Sequence, residues 1–262
     1  MDDPDRAGYP ARFLAEHAHY ADDLAFWRAL AGALGGPVLD LGTAAGRLAL
    51  PLARDGHEVW ALDADPGMVD EVERRRRAEP ADVAARLHPV VGDMRDPAPP
   101  GPFRLVLLAM NTLQVLLSPA DQLACLRAAR DRLAPGGEVA FDVVLPDVGE
   151  IQGTLGVMRS TGVHVDRISG ATLFHSACYE AFDPVTQTLE FRIMVDERAP
   201  DGTLARHVRP HRVHLFMPAE LGHLLARAGL EVVEAYGDFE GGPVEPASER
   251  QVYRCRAAEV AP

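Results

Sequence analysis

The residues best suited to chemistry form a short run of acidic and small residues after the first apolar segment. Val38–Leu41 is typical of a strand, and Gly42-Thr43-Ala44-Ala45-Gly46-Arg47 follows it as a turn whose backbone can approach a ligand closely. A dinucleotide fingerprint requires glycine at positions 42, 44 and 47, and the chain has Ala44 and Arg47 at two of them. The run therefore indicates a ligand site of another kind and disfavours a nicotinamide-dependent dehydrogenase.

Acidic residues accompany three predicted strand ends. Asp40 precedes the turn by two positions, Asp63 closes the second strand, and Asp93 follows the third. The carboxyl ends of strands in an open α/β sheet border the crevice where such sheets bind ligands, and a carboxylate there can hydrogen-bond a ribose hydroxyl. Tight turns with helix caps are the alternative. The three acids together favour a ribose-containing ligand.

The elements that must position these residues alternate between strand and helix as far as residue 145. The strand patterns lie at 38–41, 57–62, 87–91, 105–110 and 138–145, and the helical patterns lie at 45–54, from Asp65-Pro66 onward, and at 119–133. Leu105–Met110 is nearly all apolar, as expected for a parallel strand covered by helices on both faces. This alternation predicts a doubly wound α/β sheet.

After residue 150 the pattern becomes rich in strands and then returns to the first pattern. The predicted antiparallel strands are 171–182, 186–197 and 203–216, and they are followed by a helix at 218–228 and strands at 230–236 and 250–256. We therefore expect an N-terminal helical lid at 1–36, a core of 37–150 and 217–262, and an antiparallel β insertion at 151–216. The insertion either covers the site of the molecule acted on, called the acceptor below, or forms a homodimer contact.

Composition excludes several classes of function. All 26 basic residues are arginines, so the chain cannot form a lysine Schiff base or carry a Walker A lysine. A net charge of −13 argues against a nucleic-acid partner, and Arg74–Arg77 fits a solvated helix face better than an RNA contact. Three scattered cysteines and the absence of a long apolar run predict a cytoplasmic protein without a membrane partner.

Several segments resemble, in order, the motif series of class I S-adenosylmethionine-dependent methyltransferases. They are Asp40–Arg47, Ala61–Met68, Gly92-Asp93-Met94, Leu133–Gly137 and, near the end of the chain, Phe216–Leu221 with Ala228-Gly229-Leu230. Within that class the chain is most similar to small-molecule enzymes with an inserted antiparallel sheet, including natural-product and sugar-amine N-methyltransferases. The resemblance implies a seven-stranded Rossmann-like sheet with S-adenosyl-L-methionine as the cofactor.

The same resemblance implies a set of cofactor-binding residues. The glycine turn would hold the methionine portion, Asp63 the ribose hydroxyls and Asp93 the adenine amino group, while Tyr20 and Arg47 would lie near the cofactor carboxylate. The full set is Tyr20, Asp40, Gly42, Thr43, Ala44, Gly46, Arg47, Asp63, Ala64, Met68, Asp93, Met94 and Met110.

A general base is harder to assign. Many relatives carry a histidine after the fourth strand, and the aligned residue here is Val115. The remaining candidates for a base or a positioning group are His175, Tyr179 and His19, and the expected acceptor-binding residues are Trp27, Asn111, Gln114 and Arg212. No metal is expected, because His207 and His211 share a strand face that His214 does not.

The sequence thus predicts a methyltransferase that acts at nitrogen, oxygen or carbon of a small organic acceptor, a secondary-metabolite intermediate in the first instance. Methyl transfer does not always require a base, because in-line positioning against an activated sulfonium can supply most of the acceleration. Two alternatives remain open at this point. One is a cyclase or rearrangement enzyme on the same scaffold, and the other is a non-catalytic cofactor-binding module.

Overall fold

The computed structural model describes residues 9–17, 20–166 and 169–259. These residues form two compact units. One unit contains the described residues up to Tyr20 together with Pro146–Leu215, and the other contains Ala21–Leu145 and the described residues from Phe216 onward. The candidate His19 lies outside the described residues. In the part of the chain that is described, no helix is long and apolar enough to cross a membrane.

The strands are numbered in chain order. They are β1 Val38–Leu41, β2 Val59–Asp63, β3 Leu87–Val91, β4 Phe103–Leu108, β5 Leu133–Val144, β6 Met158–Val165, β7 Thr172–Asp183, β8 Thr188–Arg198, β9 Leu204–His214, β10 Leu230–Tyr236 and β11 Arg250–Ala257. The helices are α1 Tyr9–His17, α2 Leu24–Leu34, α3 Ala49–Arg54, α4 Pro66–Arg76, α5 Ala81–Arg86, α6 Pro119–Asp131, α7 Val148–Gly153 and α8 Pro218–Ala228, with a 3₁₀ turn at Thr112–Val115.

The larger unit is built on a seven-stranded sheet in the order β10-β11-β5-β4-β1-β2-β3. Strands β5, β4, β1, β2 and β3 run parallel, and β11 pairs antiparallel with both β5 and β10. Alternate residues of β4 enter two different apolar clusters, with Leu105 and Leu107 in one and Val106 and Leu108 in the other. Apolar packing on both faces explains the continuous apolar run of this strand. The predicted doubly wound α/β sheet is confirmed.

The smaller unit contains a four-stranded antiparallel sheet in the order β6-β7-β8-β9. The sequence predicts three of these strands and misses β6. The reason lies in the composition of β6, which contains a glycine, has no alternating apolar face, and leaves all of its side chains exposed or half-exposed. Helix α1 belongs to this unit, where the carboxylate of Glu16 pairs with the guanidinium of Arg209 and the carbonyl of Ala15 accepts a hydrogen bond from His164.

Two predicted boundaries differ from the structure. The helix expected from Ala45 begins only at Ala49, because Ala44 and Gly46 have φ values of 48° and 76°, which a right-handed helix does not allow. The segment 1–36, expected as a single lid, contains two helices that belong to different units. Helix α2 packs in the larger unit, where Trp27 has no exposed surface.

Candidate active site

The turn after β1 contains three residues in the left-handed region. Gly42, Ala44 and Gly46 have φ values of 69°, 48° and 76°. A Cβ placed on Gly42 would lie 2.6 Å from Cγ2 of Thr112, and one placed on Gly46 would lie 3.2 Å from Cγ2 of Val72. These close approaches, together with the left-handed backbone, favour glycine at both positions. The turn therefore packs tightly against Thr112 and Val72 at the carboxyl end of β1.

Asp63, at the end of β2, fixes this turn from the neighbouring strand. Its Oδ2 accepts a hydrogen bond from the Ala44 backbone N–H at 2.8 Å, and its Oδ1 accepts one from the Asp65 N–H at 2.9 Å. Burial raises the pKa of Asp63, and the backbone hydrogen bonds oppose that rise. Each carboxylate oxygen keeps a second acceptor site, so a half-exposed Asp63 can still receive ribose hydroxyls. Ala64, next in the chain, is exposed.

Asp40 and Thr43 support the same turn from inside the protein. Both side chains are buried, and the Thr43 hydroxyl donates to Oδ2 of Asp40 at 2.6 Å. Burial raises the pKa of Asp40 to about 6, and the hydrogen bond from Thr43 works against the rise. The side chains of these two predicted cofactor residues therefore hydrogen-bond to each other. A ligand at this turn would contact the backbone and not these two side chains.

Arg47 ends the turn in a bidentate ion pair. Its Nη1 and Nη2 lie 2.7 Å and 2.6 Å from the two carboxylate oxygens of Asp23, which is fully buried. Trp27 donates its Nε1–H to the same carboxylate at 3.1 Å. The sequence pattern predicts Trp27 at the acceptor and does not reveal Asp23. The structure places Trp27 in the core, where it supports the Arg47–Asp23 pair, and its contact with the acceptor stays a prediction.

The third acidic strand end is more exposed. Asp93 accepts hydrogen bonds from the guanidinium of Arg95, which also lies 2.7 Å from Oδ1 of Asp121, and this arrangement lowers the pKa of Asp93. Met94 is half-buried and packs against the apolar cluster that contains Leu62. Met68 is buried in the first turns of α4. The adenine contact expected of Asp93 stays a prediction, and it requires a carboxylate now engaged by Arg95.

The segment after β4 is held in an unusual backbone conformation. Met110 and Asn111 are consecutive non-glycine residues with φ values of 59° and 63°. Oδ1 of Asp142 accepts the Met110 N–H at 2.6 Å, and Oδ2 of Asp142 lies 3.0 Å from Nη1 of Arg250. Oδ1 of Asn111 is buried and has no hydrogen-bond partner. A strained turn that ends in an unsatisfied acceptor is typical of a functional position.

Gln114 serves the 3₁₀ turn that follows. Only 2% of its surface is exposed, and its Oε1 accepts the N–H of Val144 at 3.2 Å. This hydrogen bond joins the turn to β5, and the acceptor contact expected of Gln114 stays a prediction. Asp142 is a further functional residue that sequence reasoning missed. Its signal was a lone carboxylate within the buried apolar run of β5.

In the smaller unit, His175 and Tyr179 lie on one face of β7, as strand alternation predicts. The ring of His175 stacks on that of His164 with centroids 4.6 Å apart. Arg159 lies 4.9 Å from the centre of the Tyr179 ring, and Phe191 meets the same ring edge-on. The two candidates therefore belong to one polar and aromatic surface. Their assignment as a base or a positioning group stays a prediction.

Other predicted residues have structural partners. Arg212 is well exposed on β9 and pairs with Glu190 at 3.0 Å, and its role in acceptor binding stays a prediction. The Tyr20 N–H donates to the carbonyl of His17 at 3.0 Å. Within residues 9–17, 20–166 and 169–259, no group of three or more His, Cys, Asp or Glu side chains is arranged to hold a metal ion.

The geometry around β1, β2 and β4 fits the predicted cofactor. The turn after β1 contains only small residues from Gly42 to Gly46, which allows close approach to its backbone, Asp63 retains acceptor capacity for a diol, and Asn111 supplies a buried polar oxygen without a partner. All three belong to the larger unit and follow the carboxyl ends of neighbouring parallel strands. Such an edge is where open α/β sheets bind their ligands.

Comparison with known proteins identifies the family. Residues 38–137 match a family described as a methyltransferase domain. The Cypemycin N-terminal methyltransferase of Streptomyces sp is 31% identical over 209 residues, which are 80% of this chain and 78% of that protein. The chain therefore belongs to the S-adenosylmethionine-dependent methyltransferases. The predicted family, fold class and cofactor are confirmed.

Solved structures agree with this assignment. The CcbJ methyltransferase from Streptomyces caelestis is 29% identical, with a TM-score of 0.77 over 92% of this chain and 98% of that chain. CalS10 from Micromonospora echinaspora, described as an amino pentose methyltransferase, has a TM-score of 0.68 at 19% identity over 95% of this chain and 96% of that chain. The second likeness concerns the fold alone.

Proposed function

We propose that this chain transfers a methyl group from S-adenosylmethionine to an amine nitrogen of a small natural-product acceptor. The observation that carries the proposal is Oδ1 of Asn111, a buried acceptor without a partner at the end of β4. An unpaired buried acceptor costs free energy, and an amine N–H from a ligand would recover it. The name of one relative points the same way, since it is an N-terminal methyltransferase.

The bound cofactor supplies an electrophilic methyl group on a sulfonium. The residues of this chain bind and orient. The backbone of the turn at Gly42–Gly46 holds the methionine portion, and Asp63 accepts hydrogen bonds from the ribose hydroxyls. Arg47, fixed by Asp23, places a positive charge at the end of that turn, where it can attract the cofactor carboxylate.

Asn111 would act on the acceptor. A neutral primary or secondary amine has an N–H to donate and a lone pair for attack, so a carbonyl oxygen that accepts the N–H also fixes the direction of the lone pair. The terminal torsion of asparagine is soft, which allows Oδ1 to turn toward an arriving N–H. A carbon–nitrogen bond forms as the carbon–sulfur bond breaks, and the amine proton leaves to solvent afterwards. This route requires no histidine at Val115.

The test compares nitrogen and oxygen acceptors in the presence of labelled cofactor. The panel pairs amino sugars and peptides having free N-termini with their hydroxyl analogues. We expect labelled methyl on nitrogen only. Methylation of oxygen at an equal rate would contradict the proposal and favour a different acceptor atom. Cofactor binding without turnover on any acceptor would also contradict it and favour a non-catalytic module.

Asn111→Gly is the decisive variant, because glycine removes the amide while tolerating a φ of 63°. We expect unchanged cofactor affinity and a kcat about 10- to 100-fold lower on amines. Gln187→Gly is the matched control, since Gln187 is also a non-glycine residue with a positive φ, of 52°, and it lies in the β7–β8 hairpin of the smaller unit. Equal activity of Asn111→Gly and the wild type would overturn the role given to Asn111.

The β-rich segment is proposed to contribute to the acceptor's selection through the face that carries His175 and Tyr179. A homodimer remains equally compatible with an antiparallel sheet that has exposed edges. Substitution of either residue with unchanged acceptor selectivity would remove the first proposal.

A further inference from the structure

Asp142 is a carboxylate in a place where a carboxylate is costly. It is fully buried in β5, between Phe141 and Val143, two core residues that also have no exposed surface. A buried charge requires a partner and hydrogen bonds to offset its lost hydration. Asp142 has both, since Arg250 pairs with Oδ2 and the Met110 N–H donates to Oδ1.

The Met110 N–H has a particular position in the sheet. The parallel pairing of β4 with β5 ends at Leu108 opposite Phe141, so the amide of Met110 lies beyond the ladder. The side chain of Asp142 takes over as its acceptor at 2.6 Å. That hydrogen bond is made at the point where the backbone enters the left-handed pair Met110–Asn111. It therefore restrains the conformation that orients the Asn111 amide.

Arg250 holds Asp142 from the next strand. Its guanidinium carbon lies 4.7 Å from the centre of the Phe239 ring, and Phe239 packs against the rings of Phe26 and Trp27. The guanidinium is thus fixed by an aromatic face as well as by a charge. The position of the carboxylate follows from a rigid partner on β11.

We propose that Asp142, paired with Arg250, is a positioning residue for methyl transfer, because it fixes the Met110–Asn111 turn that presents Oδ1 of Asn111 to the acceptor. The predicted effect of Asp142 on turnover rests on the proposed function. The hydrogen bond from the Met110 N–H to Asp142 does not, because it is made without an acceptor or a cofactor. Two readouts can therefore be separated, one on the enzyme without an acceptor and one on catalysis.

The first readout is hydrogen exchange at the Met110 amide. Asp142→Ala removes the acceptor, and we expect exchange at this amide to become at least about 10-fold faster. Asp142→Asn retains an amide oxygen in the same place and should keep most of the protection. Glu138→Gln is the matched control, since Glu138 pairs with Arg254 across the same two strands at 2.8 Å, away from the end of β4. Unchanged Met110 exchange in Asp142→Ala would overturn the inference.

The second readout is a double-mutant cycle with Asn111→Gly. In the wild-type background we expect Asp142→Ala to lower kcat for amines about 10-fold, with the cofactor KM changed less than about threefold, and Asp142→Asn to restore most of the loss. In the Asn111→Gly background, Asp142→Ala should have little further effect. A loss of equal size in both backgrounds would show that Asp142 acts by another route and would overturn the inference.

The proposed function can fail on its own. A wild-type enzyme that methylates no amine, together with fast Met110 exchange in Asp142→Ala, would reject the amine chemistry and retain the restraint of the turn. If Asp142→Ala does not fold, Arg250→Met is the test variant, because it removes the cationic partner of Asp142 together with its stacking on Phe239. Asp142→Asn is then the control, because it retains an acceptor for the Met110 N–H. We expect faster exchange at the Met110 amide in Arg250→Met. Unchanged exchange would show that Arg250 does not help Asp142 to restrain the Met110–Asn111 turn.

Discussion

Replacement of Gly42 by alanine should damage the cofactor site through one identifiable contact. The added Cβ would lie 2.6 Å from Cγ2 of Thr112 and 3.1 Å from its Oγ1. Thr112 cannot turn away freely, because its hydroxyl donates to the carbonyl of Ala109 at 2.7 Å. The turn after β1 must therefore move, and this is the turn proposed to hold the methionine portion of the cofactor.

The magnitude has two parts. An alanine at a φ of 69° costs about 1–2 kcal/mol from backbone strain alone. Overpacking against Thr112 adds about 1–3 kcal/mol. Gly156→Ala is the control, because Gly156 has a φ of 74° and an added Cβ there would meet no atom within 4 Å, so only the strain applies. We expect Gly42→Ala to lose about 2–5 kcal/mol in the free energy of unfolding and Gly156→Ala about 1–2 kcal/mol.

The assays are denaturant unfolding and calorimetric titration with S-adenosylmethionine. Gly42→Ala should bind the cofactor at least about 10-fold more weakly, which corresponds to about 1.4 kcal/mol. Thr112→Ser removes Cγ2 and retains the hydroxyl, so the double variant should recover stability and affinity. The steric explanation is refuted if Gly42→Ala costs no more stability than Gly156→Ala, or if Thr112→Ser fails to restore the stability of Gly42→Ala.

Two further predictions concern acidic residues of the site. Asp63→Asn should weaken binding of the cofactor and of its demethylated product alike, about 10-fold, since both carry the ribose; a calorimetric loss confined to one of them would contradict the ribose role. Asp40 and Asp142 each have a folded pKa of about 6, above the ordinary 3.8, so their contribution to stability is present below pH 3.8 and is lost as the pH rises through 6. Relative to Asp40→Asn, the wild type should gain up to about 3 kcal/mol in the free energy of unfolding between pH 7 and pH 4, and parallel pH profiles would contradict the raised pKa.

Much of the fold could be predicted because its parallel strands are apolar and its turns contain glycine, proline and aspartate. The helix at 218–228 and the strand at 230–236 match their predicted bounds. Strand β6 could not be predicted, since its pairing with β7 depends on a neighbour and not on its own composition. Helix α3 begins late because Ala44 has a left-handed φ that its residue type does not favour, with its N–H bonded to the carboxylate of Asp63 on the neighbouring strand.

The candidate site was predictable where a residue's type is tied to its backbone position. The glycine turn and Asp63 were found because strand ends and turns are visible in the sequence. The partners Asp23 and Asp142 were not, because each joins segments that are distant in the chain, to Arg47 and Arg250 respectively. Asn111, the chain's single asparagine, was predictable only in part. Its residue type suits a left-handed turn, but the lack of a hydrogen-bond partner for its Oδ1 can be seen only in the structure.

The use of arginine in place of lysine has a physical reason at Arg47 and Arg250, the partners of the two buried carboxylates. Arg47 contacts both oxygens of Asp23 at once, and Arg250 combines a charge contact to Asp142 with the face of Phe239. Both arrangements depend on a planar, delocalised guanidinium, whereas an ammonium is a compact and strongly hydrated point charge. Buried carboxylates beside the ends of β1 and β4 thus keep two strained turns in place, and each needs a cation that tolerates burial. Arginine at positions 47 and 250 meets that requirement, so these two positions would resist replacement by lysine even though the charge is retained.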